Sequence, residues 1–212
     1  MEGPRVHEET YRSRELMEKL AATRLVLCGA GAVGSNLAVN LVRQGFTRVR
    51  VIDDDRVGQR NLSTQTYSRA DVGALKVVAL KNDLFRTVGV EIDAVSQRLT
   101  EANALRLLKG ASVVVDGFDN AASRALVRDA VRLNAIPCLH VGLSADYAEV
   151  IWDPSYRVPS GRGEDVCDYP LARNLIQLAC AVASEVLVDV VAGNPPSSYT
   201  ITLRDLSVTT FE

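Results

Sequence analysis

Asp53, Asp54 and Asp55 stand side by side after the apolar run RVRVI (48–52), in a chain of 212 residues whose net charge is only −2. Three adjacent carboxylates repel one another, so a cation, a hydrogen-bond donor or solvent must compensate. Cations and donors follow closely: Arg60 and Asn61 in DDDRVGQRNLSTQ, then Lys76 in GALK. A second acidic group, DGFDNAASR (116–124), puts Asp119 after another apolar run.

The elements that would position these groups are readable. RLVLCGAG (24–31) is a continuous apolar run ending at glycines, as expected of a buried parallel strand. GSNLAVNLVRQG (34–45) has Leu37, Leu41 and Val42 at helical spacing and Gly45 as a C-cap. Between them GAGAVG demands a tight turn at Gly29, no side chain at Gly31 where phosphate or ribose approaches, and close packing at Gly34. RVRVID (48–53) is a second strand, which ends at Asp53, where a carboxylate can accept from both ribose hydroxyls. By strand alternation Asp54 points away from its neighbours into solvent. A tight turn without a ligand is the bland alternative, and to this point a nicotinamide-dependent dehydrogenase serves equally well.

Further elements are a polar helix over 7–22 with Tyr11, Leu16, Met17 and Leu20 packing, and a helix over 71–88 with Leu75, Val78, Ala79 and Phe85 on one face. A strand is expected over 90–99, a helix over 100–110, a strand over 112–118 and a helix to Asn134 capped by Asp119 or Asn120. Residues 137–152 give one long strand or two, 153–170 a loop, 171–193 an apolar helix, and the last residues strands around a turn at Arg204-Asp205. The alternation predicts a doubly wound, Rossmann-like α/β fold, its sheet mostly parallel with a mixed or antiparallel C-terminal half. One domain is expected over 1–212, with an N-terminal helix (1–23), a nucleotide-binding core (24–135) and a C-terminal half with a crossover loop (136–212).

The charge balance leaves no footprint for nucleic acid or an anionic membrane. No stretch is expected to reach the ~20 apolar residues of a membrane span, and the polar first residues lack a signal peptide's apolar segment. A cytoplasmic protein is the simplest reading. Cys28, Cys138, Cys167 and Cys180 form no CxxC pair and the chain has two histidines, which argues against structural zinc. Cys28, Cys138 and Cys180 lie in apolar runs and read as small buried hydrophobes, whereas Cys167 lies in the polar SGRGEDVCDYP.

GAGAVGS, DDDRVGQRNLSTQ, Lys76 in GALK and DGFDNAASR occur in an order no dehydrogenase needs. Together they resemble the ThiF/MoeB family of adenylating enzymes, which includes the activating enzymes for ubiquitin-like proteins, over roughly residues 8 to 152. The resemblance implies ATP and Mg2+ as cofactors. It assigns Asp53 to the ribose, Asp55 to the second acid of its segment, Asn61 and Lys76 to the phosphates and Asp119 to the magnesium. Arg14 resembles an arginine that reaches the ATP phosphates from the other subunit of a homodimer. The residue-level alternatives are a solvated Lys76, an Asn61 serving its own turn, an Asp119 that merely caps a helix, and a surface Arg14.

The family pattern breaks at Thr64, where an arginine normally stands, and at Arg60, which replaces a serine and can supply the missing charge. Many relatives pass the acyl group to a cysteine in the crossover loop, which here points to Cys167. The implied activity is adenylation of the C-terminal carboxylate of a ubiquitin-like or sulfur-carrier protein, with thioester formation on Cys167 as a second step. The rivals are a non-catalytic nucleotide-binding partner subunit, adenylation of a small-molecule carboxylate, and an NAD-dependent oxidoreductase.

Overall fold

The short Val- and Leu-rich runs become the central strands of one eight-stranded sheet. The computed structural model describes residues 3–159 and 170–211. Strands β1 (Arg24–Cys28), β2 (Arg48–Ile52), β3 (Asp93–Val95), β4 (Val113–Asp116) and β5 (Cys138–Ser144) are parallel. β6 (Tyr147–Trp152), β7 (Tyr199–Thr202) and β8 (Ser207–Thr210) continue the sheet antiparallel, in the order β3-β2-β1-β4-β5-β6-β7-β8. The doubly wound α/β fold with an antiparallel C-terminal part is therefore as expected.

The helices are α1 (Val6–Arg12), α2 (Arg14–Ala22), α3 (Ala32–Gln44), α4 (Lys76–Val88), α5 (Glu101–Leu108), α6 (Ala121–Leu133) and α7 (Arg173–Ala192). Alternation along the central strands feeds two cores. Leu25 and Leu27 of β1 join Val113 and Val115 of β4 against α2, α3, α4 and α7. Val26, Cys28 and Val114 face α5 and α6 on the other side. A strand buried on both faces needs apolar residues throughout, which is why these runs do not alternate.

Several boundaries move. The N-terminal helix breaks at Ser13, which has φ +90° and whose Oγ accepts the Leu16 N–H. Tyr11 is exposed, while Met17 and Leu20 are buried as expected. α4 begins only at Lys76, because residues 69–71 form a 3-10 turn and the Lys76 N–H bonds to the Asp55 carbonyl. Its buried face is Val77, Ala79, Leu80 and Leu84, leaving Val78 and Phe85 in solvent. The strand expected over 90–99 shrinks to Asp93–Val95, an edge strand with one neighbour. Helix α7 corrects another expectation, since its length and composition are those of a membrane span. Here it lays Leu175, Ile176, Ala179, Cys180, Ala183 and Leu187 into the core beside α3.

Asn120 caps α6, its Oδ1 accepting the Ser123 N–H at 2.9 Å. Asn120→Ala is expected to lower stability by about 1 kcal/mol, read from the midpoint of urea unfolding.

Candidate active site

Strand order reverses between β1 and β4, and the crevice beyond their carboxyl ends is where such sheets bind ligands. Two turns wall it. Gly29, at φ +99°, donates its N–H to the Ile52 carbonyl, and a Cβ there would lie 3.2 Å from the Gly117 carbonyl oxygen. A Cβ on Gly34 would lie 1.9 Å from the Gly29 oxygen, so the start of α3 lies directly on the turn. Around Gly31, by contrast, there is nothing within 4 Å of where a Cβ would be. Gly31 is the N-cap of α3 and provides no side-chain cap. The start of α3 is thus open at Gly31, at the positive end of the helix dipole, an arrangement suited to phosphate.

Each of the three aspartates has its own compensation. Asp53 is buried, and its two oxygens accept the N–H groups of Ala30 at 2.7 Å and Asp55 at 2.8 Å. Burial raises its carboxyl pKa above the ordinary value, against the pull of Lys76 and both amides. Asp54 is exposed and pairs with Arg98 at 3.1 Å. Asp55 pairs at 2.8 Å with Lys76, whose side chain is only 8% exposed while that of Asp55 is 61% exposed. Lys76 is therefore not a solvated helix lysine. The Tyr67 hydroxyl donates to the Ala30 carbonyl at 2.8 Å and pins the glycine turn from below.

The segment after the aspartates lies along the first turns of α3. Asn61 sits in a 3-10 turn (Gln59–Ser63), and its Oδ1 accepts the Gly58 N–H at 2.7 Å, so it serves its own turn. The Thr64 carbonyl accepts from Asn36 Nδ2 at 2.8 Å, and the Thr66 N–H donates to Ser35 Oγ at 3.3 Å. Arg60 is exposed and carries no hydrogen bond or ion pair among the described residues. Arg173, at the start of α7, donates to the Ser63 carbonyl at 3.4 Å and puts a second guanidinium beside Thr64. Its position 110 residues along the chain leaves no local signal of that approach.

Opposite, Asp119 is exposed, and its one side-chain hydrogen bond among the described residues is accepted from Asn120 Nδ2 at 3.4 Å. Asn120 does the capping, so Asp119 is free of that role. Among the described residues no group of three or more His, Cys, Asp or Glu could enclose a metal. A single carboxylate oxygen at the mouth of a phosphate crevice still fits magnesium, which takes one or two carboxylates and completes its shell with phosphate and water.

Arg14 lies elsewhere. It lines a surface recess with Met17 and Gly45 and pairs with Glu18 at 3.1 Å. Gly45 ends α3, whose 13 residues put about 20 Å between that end and the glycine turn. Arg14 is thus outside its own chain's crevice. Cys167 and its neighbours 160–169 lie outside the described residues. The other three cysteines are buried, with burial pushing Cys28 and Cys138 well above the ordinary thiol value and Cys180 up to about 12.

The ThiF family model matches residues 7–162. Over 125 residues the chain is 39% identical to a sulfur carrier protein adenylyltransferase of Thermus thermophilus, covering 58% of this chain and 46% of that one. It is 33% identical over 134 residues to a sulfur carrier protein ThiS adenylyltransferase of Bacillus subtilis, covering 61% and 40%. The chain thus spans about half the length of such relatives, or less. The fold matches E. coli MccB crystallised with MccA-N7isoASN at TM-score 0.81 and 16% identity, over 98% of this chain and 69% of that one. With more than half of its residues matched by the family model, and with the linked glycine, aspartate and lysine segments around one crevice, the chain belongs to the ThiF family.

Proposed function

We propose that this chain adenylates the C-terminal carboxylate of a ubiquitin-like or sulfur-carrier protein, using ATP. The observation that carries the reading is the pairing of an open, side-chain-free helix start at Gly31 with an uncommitted Asp119 across the β1/β4 crevice. In the reaction a carboxylate oxygen attacks the α-phosphorus, the bond to the bridging oxygen breaks, and pyrophosphate leaves with that electron pair. Two anions must approach, so cations have to offset their repulsion.

The residues divide that work. Asp53 has its geometry set by two backbone amides and keeps lone pairs for ribose hydroxyls. Gly31 and the α3 amides would receive phosphate, with Lys76, Arg60 and Arg173 supplying the cations from the adjoining segments. Asp119 would hold magnesium, which neutralises charge developing on the phosphates when bound. Arg14, too far from its own crevice, would act in a homodimer on the site of a second copy. With the three described cysteines buried, a thioester step would fall to Cys167.

The test is ATP–pyrophosphate exchange with magnesium and candidate carriers ending in Gly-Gly. Asp119→Ala is expected to lose about 100-fold or more in exchange with no change in unfolding midpoint. Mixing Arg14→Ala with Asp119→Ala chains is expected to recover part of the activity, since one site of a mixed dimer keeps both groups. Full exchange in Asp119→Ala would sink the assignment of that residue. Tight ATP binding without exchange for any carrier would favour the non-catalytic subunit, a rival that Thr64 and the Lys76–Asp55 pair support.

A further inference from the structure

Beneath the Asp119 turn lies a buried polar cluster that the chemistry above leaves unused. His140 on β5 is fully buried, and its Nδ1–H donates to Asp116 Oδ2 at 2.9 Å. Its ring stacks on Tyr156, with centroids 3.8 Å apart and planes inclined by 7°. The Tyr156 hydroxyl accepts from Arg124 Nη1 at 3.0 Å, and Arg124 Nη2 donates to the Val141 carbonyl at 2.9 Å. His140 Nε2 is buried without a hydrogen bond, 3.6 Å from the Asp153 carboxylate, which Arg132 holds at 2.7 Å. Apolar residues of equal volume often serve stability equally well, because burying ionisable groups is costly. A cluster of this kind can instead fix one local conformation.

It grips one turn at both ends. In front, the second oxygen of Asp116 accepts the Phe118 N–H at 3.2 Å. Behind, Arg124 stands at the end of the first turn of α6, and its backbone N–H donates to the Asn120 carbonyl at 3.1 Å. The carbonyl of Gly117, in the middle, lies against Gly29. We propose that His140 is a positioning residue: through its bond to Asp116 it sets the turn 116–119 and so aims Asp119 at the phosphates and their magnesium. This rests on the adenylation reading, in which Asp119 meets the metal. His140 itself touches no substrate.

The experiment is calorimetric titration of ATP, with and without Mg2+, into the wild type, His140→Leu and His140→Asn. Leucine fills the volume without a donor, whereas the asparagine amide can place its N–H where Nδ1 stood. In the wild type Mg2+ is expected to tighten ATP binding. His140→Leu is expected to weaken that magnesium-dependent gain by about tenfold or more, the effect typical of losing a group behind a metal ligand, with Mg2+-free affinity nearly unchanged. His140→Asn is expected to restore most of it. An unchanged gain in His140→Leu, equal losses with and without Mg2+, or an asparagine variant no better than leucine would each overturn the proposal. If His140→Leu does not fold, His140→Gln replaces it with the same expectation, its amide reaching past the Asp116 oxygen. Failure of the wild type to bind ATP would instead bring down the adenylation reading and this proposal with it.

Discussion

Gly34→Ala is expected to destabilise the fold by about 3 kcal/mol, the upper part of the usual range for overpacking, while Gly31→Ala, three residues earlier, leaves stability nearly unchanged. The added methyl at Gly34 would stand 1.9 Å from the Gly29 carbonyl oxygen, so the turn or the helix must move by more than an ångström. Both are fixed: Gly29 by its bond to Ile52 and α3 by its packing on α7. At Gly31 the backbone φ is −80°, outside the left-handed region, and nothing lies within 4 Å of the new methyl. The cost there falls on ligand binding, because the methyl occupies the approach to the α3 amides. ATP affinity is expected to drop by about tenfold or more, a loss of ~1.4 kcal/mol. Urea unfolding and calorimetric ATP titration, run on both variants, separate the two effects. Equal ATP affinity in Gly31→Ala and wild type would mean that phosphate does not pass over that residue.

The second large effect is expected at Lys76. Lys76→Met fills the same space but removes the positive charge, and ATP–pyrophosphate exchange should fall by roughly 10²–10³-fold, as when a preorganised charge-stabilising group is lost. Stability should change little, because the freed Asp55 carboxylate already faces water. Asp55→Ala runs the other way for stability, since it strands a buried ammonium; solvent near Asp55 keeps the cost to about 1 kcal/mol. Thermal unfolding of the two variants beside their exchange rates gives the comparison. If Lys76→Met exchanges like wild type, the Lys76–Asp55 pair is a structural strut and the phosphates are met by arginines.

How much of this was legible in the sequence depends on the reach of each contact. β1, the glycine turn and α3 were readable because each is specified within its own few residues by apolar runs, glycines and helical spacing. The hairpin β7–β8 came with its turn at Arg204-Asp205 for the same reason. The face of α4 was misread because Val78 and Phe85 are apolar and in phase, yet Asp55 and Val57 tether the preceding segment so that Val77, Leu80 and Leu84 turn inward. Within the site, Asp53, Asn61, Lys76 and Asp119 were marked by local motifs, but their partners were not all visible. His140, Tyr156 and Arg173 come from distant segments, have no distinctive neighbours and meet the crevice only through tertiary packing.

The junction of α3 with α7 sets the order in which the site can be completed during synthesis. Gln177 reaches back 141 residues to Asn36, and Cys180 reaches 147 residues to the Val33 carbonyl. Leu37 and Leu41 cannot be sealed, nor Asn36 Oδ1 satisfied by Gln177, until those residues have emerged. The glycine turn is thus made well over a hundred residues before the surface that steadies it. A nascent chain must therefore carry an unfinished crevice with an open apolar helix face until α7 follows, a period in which it depends on slow, long-range closure rather than on local structure.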